Sequence, residues 1–268
     1  MRLRIRHESA YSYAERSRWV AQTIRLTPVD GPAQRVLAWR VSDERGSQLL
    51  EFHDGYGNAC HLLTRRDAAA KRCVIAEGEV ETLPADVSDA REPLPPGYFL
   101  RATPLTAASP AIAELAASAR TSTRPAHAEL LALAAGVCAR VAHAEERTGV
   151  ATPAADALAG GAGVCQDRAH VFLAAARSLG YPARYVSGYW AGAADAGAGA
   201  MHAWAEAWCR EAGWIALDPS NGAIAGERHV RVAVGLDYAE AAPIRGIQHG
   251  GTRERLDVRV RLQHAQQQ

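Results

Sequence analysis

The sequence predicts an α+β protein in which an antiparallel β domain precedes a core of helices packed on an antiparallel sheet. Within the first eighty-odd residues, short runs alternate apolar and polar side chains or are rich in β-branched residues, which is typical of strands. A proline-rich stretch follows, and helical patterns then precede a second set of short strands. Helices followed by an antiparallel set are typical of α+β proteins.

Residues 1–83 are predicted to form the antiparallel β domain. Within residues 2–7, arginine at every second position alternates with leucine, isoleucine and histidine. The segment DGYGN at 54–58 lies between two apolar runs and predicts a hairpin loop. The further predicted strands cover residues 20–26, 36–41, 48–53, 59–64 and 73–82.

Residues 84–109 are predicted to be a linker or crossover, and residues 110–268 a second domain. Proline fixes φ and lacks an amide donor, so a stretch this rich in proline sustains neither a helix nor a central strand. Helices are predicted at 110–119, 126–143 and 165–179, and strands at 183–190, 202–209, 214–217, 230–234 and 255–262. The Ala/Gly-rich stretch 191–200 predicts a mobile loop.

Composition excludes several classes of protein. An apolar fraction of 48% with 22% charged residues excludes wholesale disorder. A net charge of +1 argues against a nucleic-acid partner. No run approaches the 18 or so apolar residues of a membrane span, and the first residues lack the apolar stretch of a signal peptide. We therefore expect a cytoplasmic protein without a membrane partner.

Metal, disulfide and nucleotide chemistry have little support in the sequence. The 5 cysteines include no CxxC pair and no zinc-site spacing. The glycine-rich run 160–163 lacks the Lys-Ser/Thr of a phosphate-binding loop. We expect no cofactor and no metal.

Cys165, His202 and Asp218 are the residues whose types and positions suggest covalent catalysis. Cys165 follows the glycine-rich turn at the start of a predicted helix, His202 begins a predicted strand, and Asp218 ends the next one. A helix N-terminus and a nearby imidazolium both stabilise a thiolate. An imidazole can protonate a leaving amine while a carboxylate fixes its tautomer. Two antiparallel strands joined by a turn would set His202 and Asp218 side by side.

Three ordered blocks resemble the transglutaminase-like superfamily: GVCQD at 163–167, HAWAE at 202–206 and WIALDPSNG at 214–222. Residues 1–82 are similar to the β-rich N-terminal region of its bacterial branch, and residues 229–246 to that branch's C-terminal block. The resemblance implies a papain-like α+β core with Cys165 as nucleophile, His202 as general acid/base and Asp218 as its orienting partner. Arg168 departs from the pattern, in which an aromatic residue or histidine is commoner, so we expect different local packing there.

The expected activity is acyl transfer at an amide through a Cys165 thioester. The substrate would be a peptide or protein, attacked at an amide bond or a glutamine side chain. The same three residues serve a peptide or amide hydrolase and a cross-linking transferase that accepts an amine, and we favour hydrolysis. A non-catalytic binding module that retains the fold is the remaining alternative.

Overall fold

The computed structural model describes residues 1–84, 87–88, 93–120, 125–192 and 200–264. Most of the predicted mobile loop, residues 193–199, lies outside the described residues, as do residues 85–86 and 89–92 of the linker. The strands are β1 (Arg2–Ser12), β2 (Ser17–Ile24), β3 (Gln34–Asp43), β4 (Leu50–His53), β5 (Ala59–Ala68), β6 (Lys71–Thr82), β7 (Val87–Ser88), β8 (Ala142–His143), β9 (Ala162–Gly163), β10 (Ala183–Trp190), β11 (Ala200–Cys209), β12 (Gly213–Asp218), β13 (Ala223–Ile224), β14 (His229–Gly235), β15 (Ile244–Gly250) and β16 (Arg255–His264). The α-helices are α1 (Pro110–Ala119), α2 (Ala126–Arg140), α3 (Ala154–Gly160), α4 (Cys165–Ser178) and α5 (Tyr238–Ala241).

The N-terminal strands form two antiparallel four-stranded sheets, in the orders β16-β1-β6-β3 and β15-β2-β5-β4. Alternate residues of β1, and of β2 from Val20 onward, are buried, as a half-buried sheet requires. Val20, Ile24, Val41 and Val74 belong to the core that these strands share. The predicted DGYGN loop connects β4 to β5, where Tyr56 and Asn58 donate backbone N–H groups to the Asp54 carboxylate.

The last two strands belong to these same N-terminal sheets. β16 pairs with β1 along its whole length, and β15 pairs with β2. The sequence prediction assigned all of 110–268 to the catalytic domain, so the structure differs from it over residues 244–264. Pairing between the first and last strands is a long-range event, and alternation within a strand does not indicate which edge the strand joins.

The described part of the predicted linker packs on the core. β7 pairs with β12, and two 3₁₀ helices cover Pro96–Leu100 and Pro104–Thr106. The ring of Phe99 is buried edge-on against Trp214, with 5.3 Å between ring centroids. The guanidinium of Arg177 donates to the carbonyl oxygens of Phe99 and Ala183, which ties this segment to α4 and β10.

The second half of the chain forms an antiparallel sheet in the order β13-β12-β11-β10-β14, with β7 on β12, covered by helices. The helices and the sheet share an apolar core that includes Leu130, Leu133, Val137 and Phe172. This arrangement confirms the predicted α+β fold. Among the described residues, no helix is long and apolar enough to cross a bilayer.

Helix α2 ends earlier than the periodicity predicts. The sequence predicts a helix to residue 143, but Ala142 and His143 instead pair in parallel with Ala162 and Gly163. This short pairing fixes the glycine-rich turn directly in front of α4. Helix α4 therefore begins two residues after a paired strand.

Candidate active site

Cys165 is the first residue of α4 and is half-buried. The Asp167 carboxylate Oδ2 accepts hydrogen bonds from the Val164 amide (2.8 Å) and the Thr148 hydroxyl (2.6 Å), so it caps the turn. A Cβ on Gly163 would lie 2.6 Å from that same oxygen, so only glycine fits beneath the carboxylate. The turn that the sequence marks as glycine-rich thus lets Asp167 fold back over it.

The N-terminus of α4 supplies backbone donors beside the sulfur. The first intrahelical hydrogen bond runs from the Arg168 amide to the Val164 carbonyl, so the Cys165 amide has no partner within the helix. Such an amide, together with the positive end of the helix dipole, favours negative charge in front of the helix. The sulfur and a donor suited to an oxyanion therefore share one residue.

His202 lies on β11 in contact with both of its predicted partners. Its Nε2 is 2.9 Å from Oδ2 of Asp218, and 10% of its side chain is exposed. Burial lowers the pKa of His202, but hydrogen bonds to Asp218 and to the Cys165 thiol outweigh burial and raise the pKa to about 9. Because Nε2 is bonded to Asp218, Nδ1 is the ring nitrogen left for the sulfur. The structure thus brings together the three residues that the sequence singled out.

The Asp218 carboxylate is buried at the end of β12 and accepts several hydrogen bonds. Oδ1 accepts the Ser220 amide at 2.8 Å, and Oδ2 accepts the Asn221 side-chain amide at 2.6 Å. Oδ2 also lies 3.0 Å from Nε2 of His229. Burial alone would raise the pKa of Asp218, but the hydrogen bonds of His202, His229 and Asn221 hold it well below its usual value. The carboxylate is therefore ionised opposite His202.

Arg168 connects the helix of Cys165 to the loop of Asp218. Its side chain is buried and donates to the Val141 carbonyl at 2.8 Å and to the Ser220 carbonyl at 3.0 Å. Here a guanidinium reaches two backbone carbonyls at once, which an aromatic ring could not do. The unusual residue at this position thus braces the segment that carries Asp218.

Aromatic rings surround the imidazole of His202. The ring centroid of Trp190 lies 5.7 Å from that of His202. Trp204 stacks with the imidazole of His202, with 6.2 Å between the ring centroids. Trp204 is buried, and its close approach to β10 needs Gly188, where a Cβ would meet the indole at 2.5 Å. The contacts with these two tryptophans restrict the orientation of the His202 imidazole.

His229 is the site residue that the sequence analysis missed. It is the first residue of β14, and it contacts Asp218 because the start of β14 lies beside the end of β12. His202, Asp218 and His229 each offer a ligand atom, all within 4.8 Å of one another. They are therefore the residues with which the described part of the chain could hold a metal ion.

The other cysteines differ from Cys165 in their surroundings. Burial raises the pKa of the Cys60 thiol to about 12 and also raises those of Cys73 and Cys209. The thiol of Cys138 donates to the Ser220 carbonyl. None of these four is in the contact network of His202 described above.

A cavity of about 400 Å³ lies between the N-terminal sheets and the core. Its walls include the rings of Tyr11, Tyr13 and Tyr238 and the apolar side chains of Val150 and Ile247. The Val150 carbonyl accepts a hydrogen bond from the side chain of Gln166, the residue after Cys165. Both halves of the chain therefore line a cavity close to the helix of Cys165.

A cysteine at a helix N-terminus facing a histidine and a carboxylate on adjacent strands is an arrangement that cysteine-dependent enzymes on papain-like cores use. Comparison with known proteins identifies the family. Residues 113–219 match the family model of the transglutaminase-like superfamily, and residues 3–81 match that of the bacterial transglutaminase-like N-terminal region. The chain belongs to the transglutaminase-like superfamily.

Relatives resemble the chain over nearly its whole length. The uncharacterized protein ML0607 of Mycobacterium leprae is 30% identical over 276 residues, which cover 97% of this chain and 98% of that protein. The uncharacterized protein Rv2569c of Mycobacterium tuberculosis is 29% identical over 282 residues, covering 92% and 87%. The crystal structure of a candidate cysteine protease from Cytophaga hutchinsonii is 20% identical, with a TM-score of 0.75 over 97% of this chain and 90% of that one. This last likeness shows the fold.

Proposed function

We propose that the chain is a cysteine enzyme that cleaves an amide of a peptide or protein through a thioester on Cys165. The observation that carries the proposal is that His202 contacts both the Asp218 carboxylate and the Cys165 thiol. A raised His202 pKa favours an imidazolium, and a thiolate is the partner that an imidazolium stabilises. The pair supplies a nucleophile and a proton donor together.

In the first half of the reaction, the Cys165 thiolate attacks the amide carbonyl carbon and forms the C–S bond. The carbonyl oxygen becomes an oxyanion, to which the Cys165 amide at the start of α4 can donate a hydrogen bond. When the tetrahedral species collapses, the C–N bond breaks and the His202 imidazolium gives its proton to the departing amine. A thioester and a neutral imidazole remain, and Asp218 keeps the imidazole in its orientation.

In the second half, water attacks the thioester carbon and gives a proton to His202. The C–S bond then breaks, which releases a carboxylic acid and restores the thiolate and the imidazolium. A primary amine in place of water would form a new amide, which is the reaction of a cross-linking transferase. We favour water because Cys165 is only half-buried and water is the default nucleophile at an accessible thioester.

The cavity between the two halves supports a peptide or protein substrate. Its tyrosine, valine and isoleucine walls suit apolar or aromatic side chains of such a substrate. One of its lining residues, Val150, accepts a hydrogen bond from the side chain of Gln166, the residue after Cys165. The mechanism needs no metal or organic cofactor, since the thiolate and the imidazolium supply the nucleophile and the acid.

Selective alkylation tests the nucleophile. Brief treatment with iodoacetamide near pH 6, followed by mass spectrometry, should label Cys165 in preference to Cys60, Cys73 and Cys209, whose pKa values burial raises. The variant His202→Ala should lose that preference. Equal, slow labelling of all 5 cysteines would contradict the proposal and favour a non-catalytic binding module.

A second experiment tests whether water or an amine accepts the acyl group. The variant Asp218→Asn should turn over slowly enough for its acyl–Cys165 adduct to be isolated from lysate and identified. The identified substrate is then incubated with the wild-type protein in H₂¹⁸O, with and without a primary amine. Incorporation of ¹⁸O into the product acid at all amine concentrations supports a hydrolase, whereas an amide product at low amine concentration would identify a transferase.

A further inference from the structure

We propose that His229 is a positioning residue that holds the Asp218 carboxylate against His202. The inference rests on the proposed function, which gives Asp218 its role. Three side chains meet at Oδ2 of Asp218: Asn221 at 2.6 Å, His202 at 2.9 Å and His229 at 3.0 Å. Of these, His229 comes from β14, a strand that neither His202 nor Asp218 occupies.

A backbone hydrogen bond sets the proton position on His229. The Gly226 amide donates to Nδ1 of His229 at 3.2 Å, so Nδ1 carries the lone pair. In a neutral imidazole the proton then sits on Nε2, the atom that faces Asp218. The His229 amide in turn donates to the Gly226 carbonyl at 2.8 Å, which closes the turn. His229 is therefore a fixed, neutral N–H donor to Asp218.

The ring of His229 is also held by its neighbours. It meets Trp204 edge to face, with ring centroids 5.2 Å apart, and only 10% of its side chain is exposed. The next residue, Val230, is fully buried in the core that β14 shares with Leu3 and Ile5 of the N-terminal sheet. The donor thus has little freedom to leave Asp218.

His229 helps to fix the orientation of the Asp218 carboxylate. The Ser220 amide binds Oδ1, and His229 with Asn221 binds Oδ2, so rotation of the carboxylate away from His202 would break bonds on both oxygens. Because His229 donates as a neutral group, it leaves the negative charge of Asp218 for the His202 imidazolium. The His229 ring also lies 5.8 Å from that of His202, centroid to centroid. Loss of the His229 donor should therefore weaken the Cys165–His202 pair although His229 takes no part in the covalent chemistry of either residue.

A metal ion on the same three residues is the competing use of the cluster. It would need the lone pair of His229 on Nε2, and the bond from Gly226 places that lone pair on Nδ1. The two readings therefore predict opposite tautomers. Nitrogen-15 NMR of histidine-labelled wild-type protein at neutral pH should show His229 protonated on Nε2; protonation on Nδ1, or stoichiometric Zn²⁺ binding that His229→Gln abolishes, would overturn the proposal.

A pair of amide variants tests the role. In His229→Asn the side-chain oxygen can still accept from Gly226 but the shorter amide cannot reach Asp218, whereas in His229→Gln the amide nitrogen can stand where Nε2 stood. We expect iodoacetamide to label Cys165 of His229→Asn about tenfold more slowly near pH 6, since a lost hydrogen bond to a charged group is worth about a factor of ten or more. His229→Gln should recover most of the wild-type rate.

Controls separate positioning from folding and from the proposed function. His53 lies exposed on β4, and His53→Asn should label Cys165 at the wild-type rate. If His229→Asn matched wild type, or if His229→Gln were as slow as His229→Asn with equal thermal unfolding midpoints, His229 would not be a positioning residue. If wild-type Cys165 itself showed no preference, the proposed function would fail, and the tautomer measurement would still decide whether His229 donates to Asp218.

Discussion

Two buried ionic clusters lie on the same sheet and differ in what surrounds the carboxylate. In one, Glu206 on β11 is bound by Arg184 of β10, whose Nε lies 2.6 Å from Oε2, and by Arg231 of β14, whose Nε lies 3.1 Å from Oε1. In the other, Asp218 is bound by two histidines. Both carboxylates have a pKa below the usual value, and burial opposes the shift in each case.

The partners determine which cluster can take part in chemistry. Arginine keeps its charge at any working pH, so the Glu206 cluster has one protonation state and stabilises the fold. Histidine gains and loses a proton near neutrality, so a carboxylate beside histidines can govern proton transfer. His202 and Glu206 are four residues apart on the same face of β11. This one strand therefore contributes a residue to each of the two clusters.

The largest expected effect separates the two carboxylates by function. Asp218→Asn should slow hydrolysis of the substrate identified from the acyl adduct about a thousand- to ten-thousand-fold, because the amide no longer holds the required His202 tautomer. Glu206→Gln should keep the wild-type rate within about twofold in protein that remains folded, since Glu206 touches no reacting group. Steady-state rates of both variants test this difference, and circular dichroism checks that both are folded. Equal losses in the two variants would erase the distinction between the clusters.

The next effect concerns stability. Arg184 is fully buried, and its guanidinium lies 4.0 Å from the ring centroid of Trp214. Arg184→Met keeps an apolar side chain on the indole but removes a charge from Glu206, and loss of one partner of a buried pair costs about 3–5 kcal/mol. Urea unfolding should show this loss. The control is Arg259→Met, whose exposed partner is Asp257; its free energy of unfolding should equal that of wild type.

Local patterns predicted the strands and helices best where one face of an element is apolar. The predicted helix at 110–119 matches α1 residue for residue, because Ser109 caps it, Pro110 starts it and every third or fourth residue is buried. β1 extends to Ser12 beyond the predicted 2–7. Polar His7 and Ser9 face the core there and hydrogen-bond to each other at 2.7 Å, which breaks the apolar alternation.

The sequence did not predict the contacts that join distant segments. α3 and α5 have seven and four residues, too few for a helical period to be recognised. Cys165, His202 and Asp218 were found because their residue types and neighbouring blocks suggest chemistry. His229 opens the block 229–246 that resembles the bacterial branch, but nothing in that block indicates that its side chain contacts a carboxylate on another strand. Only the folded chain brings these atoms together.

The last prediction uses pH to distinguish the clusters. His202 has a pKa raised from 6.5 to about 9, so its stabilisation is complete below pH 6.5 and is lost as pH rises through 9. Glu206 has a lowered pKa, so its stabilisation is present above 4.5 and is lost only as pH falls below that value.

The free energies of unfolding of His202→Phe and Glu206→Gln, measured at several pH values, should therefore approach that of wild type at opposite ends of the pH range. Between pH 6 and 9.5 the difference between wild type and His202→Phe should shrink, by at most about 3 kcal/mol for a shift of this size. The difference between wild type and Glu206→Gln should stay constant over that range and shrink only in acid. Were the Glu206→Gln difference to change between pH 6 and 9.5, the arginine cluster would be titrating too, and the contrast with the histidine cluster would be lost.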